Sequence, residues 1–558
     1  MELIDLLAKG YFPKELPPPF NTQSLASKYN IIKASLFGAI DKTPTRCVNF
    51  SYAKIGMVRK SIKIPNPMHQ IGLCEEISNN WSQIEAIYKS STISFSRPKL
   101  KGDRAANLSQ FRDFSRRTFL ASYPYTFELK TDIAKYFPSI YTHSIPWAIH
   151  GKSVSKASKY DKSLLGNKLD ACIQQTMYGQ TIGLPIGPDT SLIVSELIGC
   201  AIDAQLSKVI PGIKGYRYVD DMYFFFNSYV EAENGFLEIQ KALKEFELQV
   251  NAEKTVIRKI PRGTDNEWVI KLRSFRFRKT EGKQYNDIIS FFDMAFGLSN
   301  QLPNEYILSY AVSRIKNVQP ISDENWLLLE TMLLKTMVAE PATIKEVFRI
   351  FYSHQSKISV KKIEKVLFNF LEYHCQRGCD FEVSWGLWMA KTFNICIPAK
   401  TSLVLSNFAD TISILIILDM MSVGLIQKGD LDIAKWEEKL DKQSLLDENW
   451  LFAYEIAAKK WIGSSYDYIN EVPFFKILKK SKISFYNSEL QIEPIQLTKL
   501  AKAETTIPER AQGNPLSDYQ DFKAIEQAEI VYDMGEDEVD IDFFDDYPLD
   551  DDYYDEFY

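Results

Sequence analysis

The order of hydrophobic and polar positions divides the chain into three parts. Residues 1–284 mix strand-like segments, in which apolar positions alternate, with helix-like segments and with many Pro and Gly breaks. Residues 285–504 place apolar positions three and four apart, as in NWLLLETMLLKTMVAE, and therefore predict successive helices. Residues 505–558 are polar and then acidic, and this charge density opposes a packed core, so we expect a flexible tail.

Two helices of the second part begin alike, with DENWLLLETMLL from Asp323 and DENWLFAYEIAA from Asp447. Asp before a helix is a favourable N-cap, and the Trp that follows is typical of a buried anchor. The two copies suggest a helical-repeat array. Another apolar run, TISILIILDMMSVGLI, is interrupted by Asp419 and is short for a membrane span, so it predicts a buried helix in a protein with no membrane partner.

The segment KGYRYVDDMYFFFN, residues 214–227, places Asp220 and Asp221 inside an apolar, aromatic run. Alternation followed by continuous apolar residues predicts a β-hairpin with the two aspartates at its turn. Two interpretations are open at this point. One is an ordinary surface turn, where Asp is common. The other is a pair of buried carboxylates that need a cation, because burying them unpaired would cost several kcal/mol each.

A second carboxylate in a similar setting favours the cation interpretation. The segment TFELKTDIAKYFPSIY predicts a strand that ends at Asp132, followed by a turn and a helix. Carboxylates from a strand end and from a separate hairpin can converge on two Mg²⁺ ions, which stabilise the attacking and leaving oxygens in phosphoryl transfer.

Charge and cysteine content fit such an enzyme. The net charge of the 558 residues is −6, but residues 529–558 contain 14 acidic and no basic residues, which leaves 58 acidic against 66 basic residues elsewhere. The body is therefore mildly basic. Seven scattered cysteines and the absence of a signal-peptide pattern predict a reduced, cytoplasmic protein. His374, Cys375 and Cys379 lie close together, but no fourth ligand follows at zinc-finger spacing, so the sequence does not favour zinc there.

Four segments in order resemble the characteristic blocks of reverse transcriptases: TDIAKYFPSIY, GLPIGPDTSLIVSEL, RYVDD and LQVNAEKT. Roughly 90 residues separate the first aspartate from the pair, as in that family. The resemblance implies an α+β protein with right-hand polymerase fingers and palm, built from an antiparallel sheet with helices. It also implies that Asp132 and Asp220 hold two Mg²⁺ ions, with Mn²⁺ as a substitute. Asp221 would complete the acidic pair, and the Ile133 carbonyl would assist.

The same resemblance assigns residues to the incoming nucleotide. Phe137 falls where the family places an aromatic gate against a ribose 2′-OH, which predicts dNTP over NTP; a core Phe is the alternative. Lys254 matches the lysine near the pyrophosphate leaving group; the alternative is a solvated lysine. Before the first block, SFSRPKLKGDRAA supplies Arg97 and Arg104, which are suited to phosphate contact.

The middle block also departs from its usual form. It commonly reads Leu-Pro-Gln-Gly, whereas this chain has Ile186 between Pro185 and Gly187. The usual template and primer contacts of the Gln amide are therefore in doubt. Pro185 and Gly187 are still expected beside the nucleotide, and Gly187 allows close backbone approach.

Further stretches, including LLAKGYFPKELPPPF, SRP, FPSIYTHSIPWAIHG and GPDTS, resemble bacterial abortive-infection and defence-associated (AbiK-like) reverse transcriptases. This resemblance implies a homo-oligomeric antiphage enzyme that makes DNA, either by copying a small structured non-coding RNA or without a template, in some members from a protein primer. The expected regions are the N-terminal segment and fingers (1–125), the palm (126–284), an α-helical repeat domain (285–504) and the tail (505–558).

The tail invites two interpretations. A flexible segment with tyrosines among carboxylates could offer a hydroxyl as primer, and the candidates are Tyr532, Tyr547, Tyr553, Tyr554 and Tyr558. The alternative is an acidic shield or nucleic-acid mimic. For the whole protein, the alternatives to a DNA polymerase are an RNA-binding defence protein with a polymerase-like fold and an RNA polymerase on the same palm.

Overall fold

The computed structural model of the chain describes residues 1–56, 58–263, 265–316, 321–463 and 467–495. The tail predicted for residues 505–558 lies outside these ranges, and so do the tyrosines assigned to it: Tyr532, Tyr547, Tyr553, Tyr554 and Tyr558.

A four-stranded antiparallel sheet forms the palm, with the strand order β4-β5-β3-β6. The fingers carry a separate antiparallel hairpin of β1 and β2. The strands are β1 (Val48–Ala53), β2 (Arg59–Ile64), β3 (Phe127–Asp132), β4 (Lys214–Tyr218), β5 (Asp221–Phe226) and β6 (Val256–Lys259). Every residue of β5 is buried, because the apolar run after the two aspartates lies in the middle of the sheet with helices packed against it.

Helices surround these strands in the first half of the chain. They are α1 (Leu3–Ala8), α2 (Gln23–Phe37), α3 (Pro67–Asn79), α4 (Trp81–Ser90), α5 (Phe111–Ala121), α6 (Tyr136–Ser139), α7 (Ser144–His150), α8 (Lys152–Ala157), α9 (Leu165–Thr176), α10 (Asp189–Val209), α11 (Tyr229–Glu245) and α12 (Glu267–Ser274). Helix α5 packs on β4, and α11 packs on β3 and β5. The amphipathic helix α11 begins at Ser228, whose Oγ accepts a hydrogen bond from the Glu231 amide.

Among the described residues from 281 to 495, every regular element is helical, as the apolar spacing predicts. The α-helices are α13 (Glu281–Gln301), α14 (Ile307–Lys316), α15 (Trp326–Ala339), α16 (Ile344–Ser353), α17 (Val360–Cys375), α18 (Asp380–Thr392), α19 (Ala399–Leu405), α20 (Thr411–Ser422), α21 (Ala434–Glu437), α22 (Trp450–Lys459) and α23 (Pro473–Lys480). Short 3₁₀ helices are Ala252–Lys254, Asp323–Asn325, Pro341–Thr343, Lys428–Asp430, Gln443–Leu445 and Tyr468–Glu471.

The two similar helix starts have the predicted anchors but not the predicted caps. Trp326 and Trp450 are both buried. The N-cap role of the aspartates is wrong, because each helix begins three residues later: Asp323 opens a 3₁₀ turn, and Asp447 accepts a hydrogen bond from the Asn449 amide instead. Helix α20 is buried along its length, as predicted. Within the described part of the chain, the search for a helix long and apolar enough to cross a membrane finds none.

The helical half packs directly against the fingers hairpin. Trp450 Nε1 donates to the carbonyl oxygen of Ile64 on β2 at 3.2 Å. Arg59 on the same strand makes two 2.7 Å bonds to the carboxylate of Glu382 on α18. The buried apolar residues form one continuous cluster across both halves. The fingers hairpin is therefore fixed on a helical base.

Candidate active site

Three carboxylates converge at one end of the palm sheet. Asp132 ends β3 and pairs in register with Asp221, the first residue of β5. Asp220 lies in the turn just before β5, and its carbonyl oxygen accepts a 3.1 Å hydrogen bond from the Ile133 amide. Asp132 and Asp221 are only 2% and 6% exposed. The open alternative of an ordinary surface turn is therefore wrong, and the predicted hairpin and strand end are confirmed.

Burial and like charge together determine the electrostatics of this cluster. Burial, followed by the negative charges of Asp221 and Asp132, raises the pKa of Asp220 to about 7. Lys254 Nζ donates a hydrogen bond to Asp132 Oδ2. Burial alone would lower the pKa of Lys254, but the hydrogen bond to Asp132 and the charges of all three acids outweigh it and raise that pKa. One ammonium thus faces three carboxyl groups.

A buried guanidinium holds the hairpin turn behind the acids. Arg217 on β4 is fully buried and makes paired bonds to Asp203 at 2.9 and 2.8 Å and to Glu196 at 2.9 and 2.9 Å, both on α10. Its Nη1 also donates to the carbonyl oxygen of Val219 at 3.0 Å. Gly199 on the same helix leaves room for this group, since a Cβ there would lie 2.5 Å from the guanidinium carbon.

Ser96, in the segment before the first reverse transcriptase block, supports the same turn. Ser96 Oγ accepts a hydrogen bond from the Val219 amide at 2.9 Å and donates to Glu196 at 2.9 Å. The turn residue Val219 adopts φ = +54°, which is strained for a β-branched residue and needs such fixed neighbours.

Sequence reasoning did not find this cluster of Arg217, Glu196 and Asp203. The available signals were an arginine between two tyrosines in a strand and two acids seven residues apart on one helix face.

A cleft of about 180 Å³ opens beside the turn. It is lined by Lys14, Glu15, Lys60, Arg104, Ala106, Asn107, Leu108, Phe137, Ile186, Gly187, Pro188, Asp189, Leu192, Tyr218 and Val219. Three predicted nucleotide residues, Arg104, Phe137 and Gly187, therefore line one space. Gly187 has φ = +130°, and a Cβ there would lie 2.6 Å from Pro13 Cγ, so only glycine fits. The neighbouring Ile186 offers its carbonyl oxygen to the Lys63 amide of β2 at 2.8 Å.

The predicted arginines and Pro185 lie differently. Arg104 lines the cleft, but its guanidinium pairs with Asp189 at 2.6 Å and with a carbonyl oxygen at 2.7 Å. Arg97 donates to the Ser91 carbonyl oxygen at 2.8 Å and does not line the cleft. Pro185 is buried and also stands outside the lining.

Lysines of the fingers hairpin supply positive charge instead, and the sequence analysis missed them. Lys60 lines the cleft, and burial lowers its pKa although the charges of Glu15 and Asp220 oppose this shift. Burial and the nearby Lys60 and Lys254 also lower the pKa of Lys54. Both shifts indicate partly desolvated ammonium groups within electrostatic reach of Asp220, where an anionic ligand would relieve the repulsion between the lysines.

One protein family matches part of the chain. Residues 85–283 match the family described as reverse transcriptase (RNA-dependent DNA polymerase). The chain contains a reverse transcriptase domain. This domain includes the three carboxylates, Phe137 and Lys254, whereas the fingers hairpin and the helical half lie outside the match. The presence of the domain supports reverse transcriptase (nucleotidyltransferase) activity.

Solved structures with detectable similarity include telomerase of Candida tropicalis. The apo form truncated from its C-terminal domain is 12% identical, with 43% of this chain and 57% of that chain covered and a TM-score of 0.29. The apo telomerase is 11% identical, with 67% of this chain and 72% of that chain covered and a TM-score of 0.31. The telomerase in complex with a TWJ fragment of telomeric RNA is 12% identical, with 70% of this chain and 68% of that chain covered and a TM-score of 0.27. Among curated proteins, none matches.

The contribution of Arg217 to the stability of the reverse transcriptase domain can be measured by substitution. Arg217→Met leaves Glu196 and Asp203 buried without their cation, so we expect the free energy of unfolding to fall by about 3–5 kcal/mol. Urea denaturation followed by tryptophan fluorescence measures this change. The matched control is Lys89→Met, which removes an exposed pair with Glu85 and should cost less than about 1 kcal/mol. Equal, small losses in both variants would show that Arg217 does not hold the hairpin.

Proposed function

We propose that the protein is a DNA polymerase of the reverse transcriptase type, which adds dNTPs by nucleotidyl transfer at Asp132, Asp220 and Asp221. The observation that carries this proposal is the convergence of three acids, two of them deeply buried, within the reverse transcriptase domain. Buried acids without a functional ligand would destabilise the fold. The burial of these mutually repelling acids therefore favours a functional catalytic site over a vestigial one.

The donor set fits divalent ions. Three carboxylates offer only hard oxygen ligands, which suit Mg²⁺ and, as a substitute, Mn²⁺. Burial, together with the negative charges of Asp221 and Asp132, raises the pKa of Asp220 to about 7, and a bound cation would favour the ionised form of this carboxyl group. Asp132 and Asp220 would hold two ions, with Asp221 and the Ile133 carbonyl assisting. When bound, such ions activate the attacking hydroxyl and stabilise the leaving pyrophosphate.

Residues around the cleft would bind and orient the nucleotide. Lys60 and Lys54 of the fingers hairpin, together with Lys254, supply three ammonium groups for a triphosphate. Phe137 and the Gly187 backbone line the cleft in which the sugar and base would lie. The half-buried Phe137 ring would exclude a ribose 2′-OH and so select dNTPs.

We further propose a place for this polymerase in bacterial antiphage defence, in the cytoplasm, among the abortive-infection (AbiK-like) reverse transcriptases. The support is the resemblance of several sequence stretches, two of which overlap the four blocks, and the helical half that follows the palm. In this proposal the enzyme works as a homo-oligomer and makes DNA by copying a small structured RNA or without a template. A tail tyrosine as primer and the tail as an acidic shield are both consistent with the sequence.

Loss of an active-site acid tests the proposed function. Asp220→Asn removes a negative charge needed to hold the ions, so we expect incorporation of labelled dNTPs to fall by about a hundredfold or more. The matched control is Asp293→Asn, at an exposed position of α13, which should incorporate dNTPs like the unaltered protein. Activity that survives in Asp220→Asn would contradict the proposal. An unaltered protein that binds RNA but incorporates no nucleotide would favour the RNA-binding alternative.

The sugar gate has its own test. Phe137→Ala opens the cleft on the side of the 2′ position, so we expect the preference for dNTP over NTP, measured as the ratio of kcat/KM values, to fall by about tenfold or more. Phe119→Ala on α5, where the ring is 49% exposed, serves as the matched control and should keep the ratio. An unchanged ratio in Phe137→Ala would remove the gate assignment. A preference for NTPs in the unaltered protein would favour the RNA polymerase alternative.

A further inference from the structure

The turn between α17 and α18 brings together three side chains that ligate metals elsewhere in proteins. His374, Cys379 and Glu382 each direct one donor atom to a common point, and the three atoms lie within 4.8 Å of one another. The turn is built locally: the carbonyl oxygen of His374 accepts hydrogen bonds from the amides of Arg377 and Cys379, at 3.1 Å each. Gly378 makes the reversal at φ = +64°. Glu382 follows one helical turn after Cys379.

The three side chains are buried, and one of them lacks a hydrogen bond. His374, Cys379 and Glu382 are 7%, 8% and 2% exposed. His374 Nδ1 has no hydrogen-bond partner among the described residues and lies 3.9 Å from Glu382 Oε1. A buried polar atom left in this state costs about 1–3 kcal/mol, so a native fold that keeps it calls for a ligand there. Burial also lowers the pKa of His374, and the ring is therefore neutral and able to donate its lone pair.

We propose that His374 Nδ1, Cys379 Sγ and Glu382 bind one divalent transition-metal ion, with Zn²⁺ as the preferred ion. Imidazole nitrogen, thiolate sulfur and carboxylate oxygen are the ligand types of zinc, and three protein ligands leave the fourth position to water. Donors around tetrahedral zinc, with bonds of about 2.0–2.3 Å, stand roughly 3.3–3.8 Å apart. The side chains therefore need to move inwards by less than about 1 Å. Binding releases the thiol proton of Cys379 to solvent.

Arg59 is compatible with this ion. Its two 2.7 Å bonds to Glu382 use one lone pair on each carboxylate oxygen and leave a second on each. Carboxylates that ligate metals are commonly fixed by such an outer hydrogen-bond partner. Since Arg59 belongs to β2, the ion would lie at the joint between α18 and the fingers hairpin. A second bond crosses that joint, from the Ser51 amide of β1 to Asp380 at 2.7 Å.

The acidic ligand explains why the sequence did not favour zinc here. A zinc finger has four His or Cys ligands, whereas this segment has only His374, Cys375 and Cys379. In the structure, Cys375 Sγ instead bonds the Val404 carbonyl oxygen at 3.3 Å, and Glu382 takes the place beside Cys379.

Cobalt substitution tests the site in the full-length protein. Stripped of metal and titrated with Co²⁺, the protein should develop a thiolate-to-cobalt charge-transfer band that saturates at about one ion per chain and disappears when Zn²⁺ is added. The band is specific, because Co²⁺ held by the catalytic carboxylates has no sulfur ligand. Cys379→Ser should lose the band, and Cys396→Ser, which alters an exposed cysteine, should keep it.

The outcomes separate this proposal from the proposed polymerase. Asp220→Asn should show the full band whether or not the protein polymerises DNA. Absence of the band in the unaltered protein would overturn the metal site, and this result does not depend on any variant folding. A band that persists in Cys379→Ser would equally exclude Cys379 as the ligand. Circular dichroism of each variant shows whether its helices have formed.

Discussion

The pairing of Arg217 with Glu196 and Asp203 is the interaction on which the active site depends. An unpaired charge in this fully buried position would cost several kcal/mol, so the strand, the helix and the turn must remain in register to keep all three nitrogens of the guanidinium bonded. Because Arg217 also bonds the Val219 carbonyl oxygen, the register fixes the turn that carries Asp220. The planar, always-charged guanidinium of arginine can bond both carboxylates and the carbonyl oxygen at once, whereas a lysine with one nitrogen could not.

This rigidity has an electrostatic consequence. A flexible turn would let Asp220 move away from Asp221 and Asp132, whereas the fixed hairpin keeps the three acids together. Burial, followed by the charges of Asp221 and Asp132, raises the pKa of Asp220 to about 7. Lys254 compensates only part of that charge. In the proposed polymerase, divalent ions would relieve the repulsion among these acids, and the ammonium groups of the fingers hairpin would face the triphosphate. The bonds that stabilise the hairpin therefore also position the proposed catalytic acids.

Local patterns predicted local structure well and distant pairings poorly. The β4–β5 hairpin, the strand ending at Asp132 and the buried helix α20 follow from alternation and spacing, which are properties of neighbouring residues. Arg104 was assigned to phosphate because charge is visible in sequence, but its partner Asp189, 85 residues away, is not. Lys60 was missed for the same reason: only the folding of the fingers hairpin onto the palm brings it to the cleft.

The three acids that the hairpin holds together are proposed to bind divalent ions. Calorimetric titration of Mg²⁺ into the protein, in two buffers of different ionisation enthalpy, measures the protons released on binding. With the pKa of Asp220 at about 7, we expect release of about half a proton per chain at pH 7 and almost none at pH 8.5. Binding that releases no protons at pH 7, or the same number at both pH values, would contradict the proposal that Asp220 holds the ions.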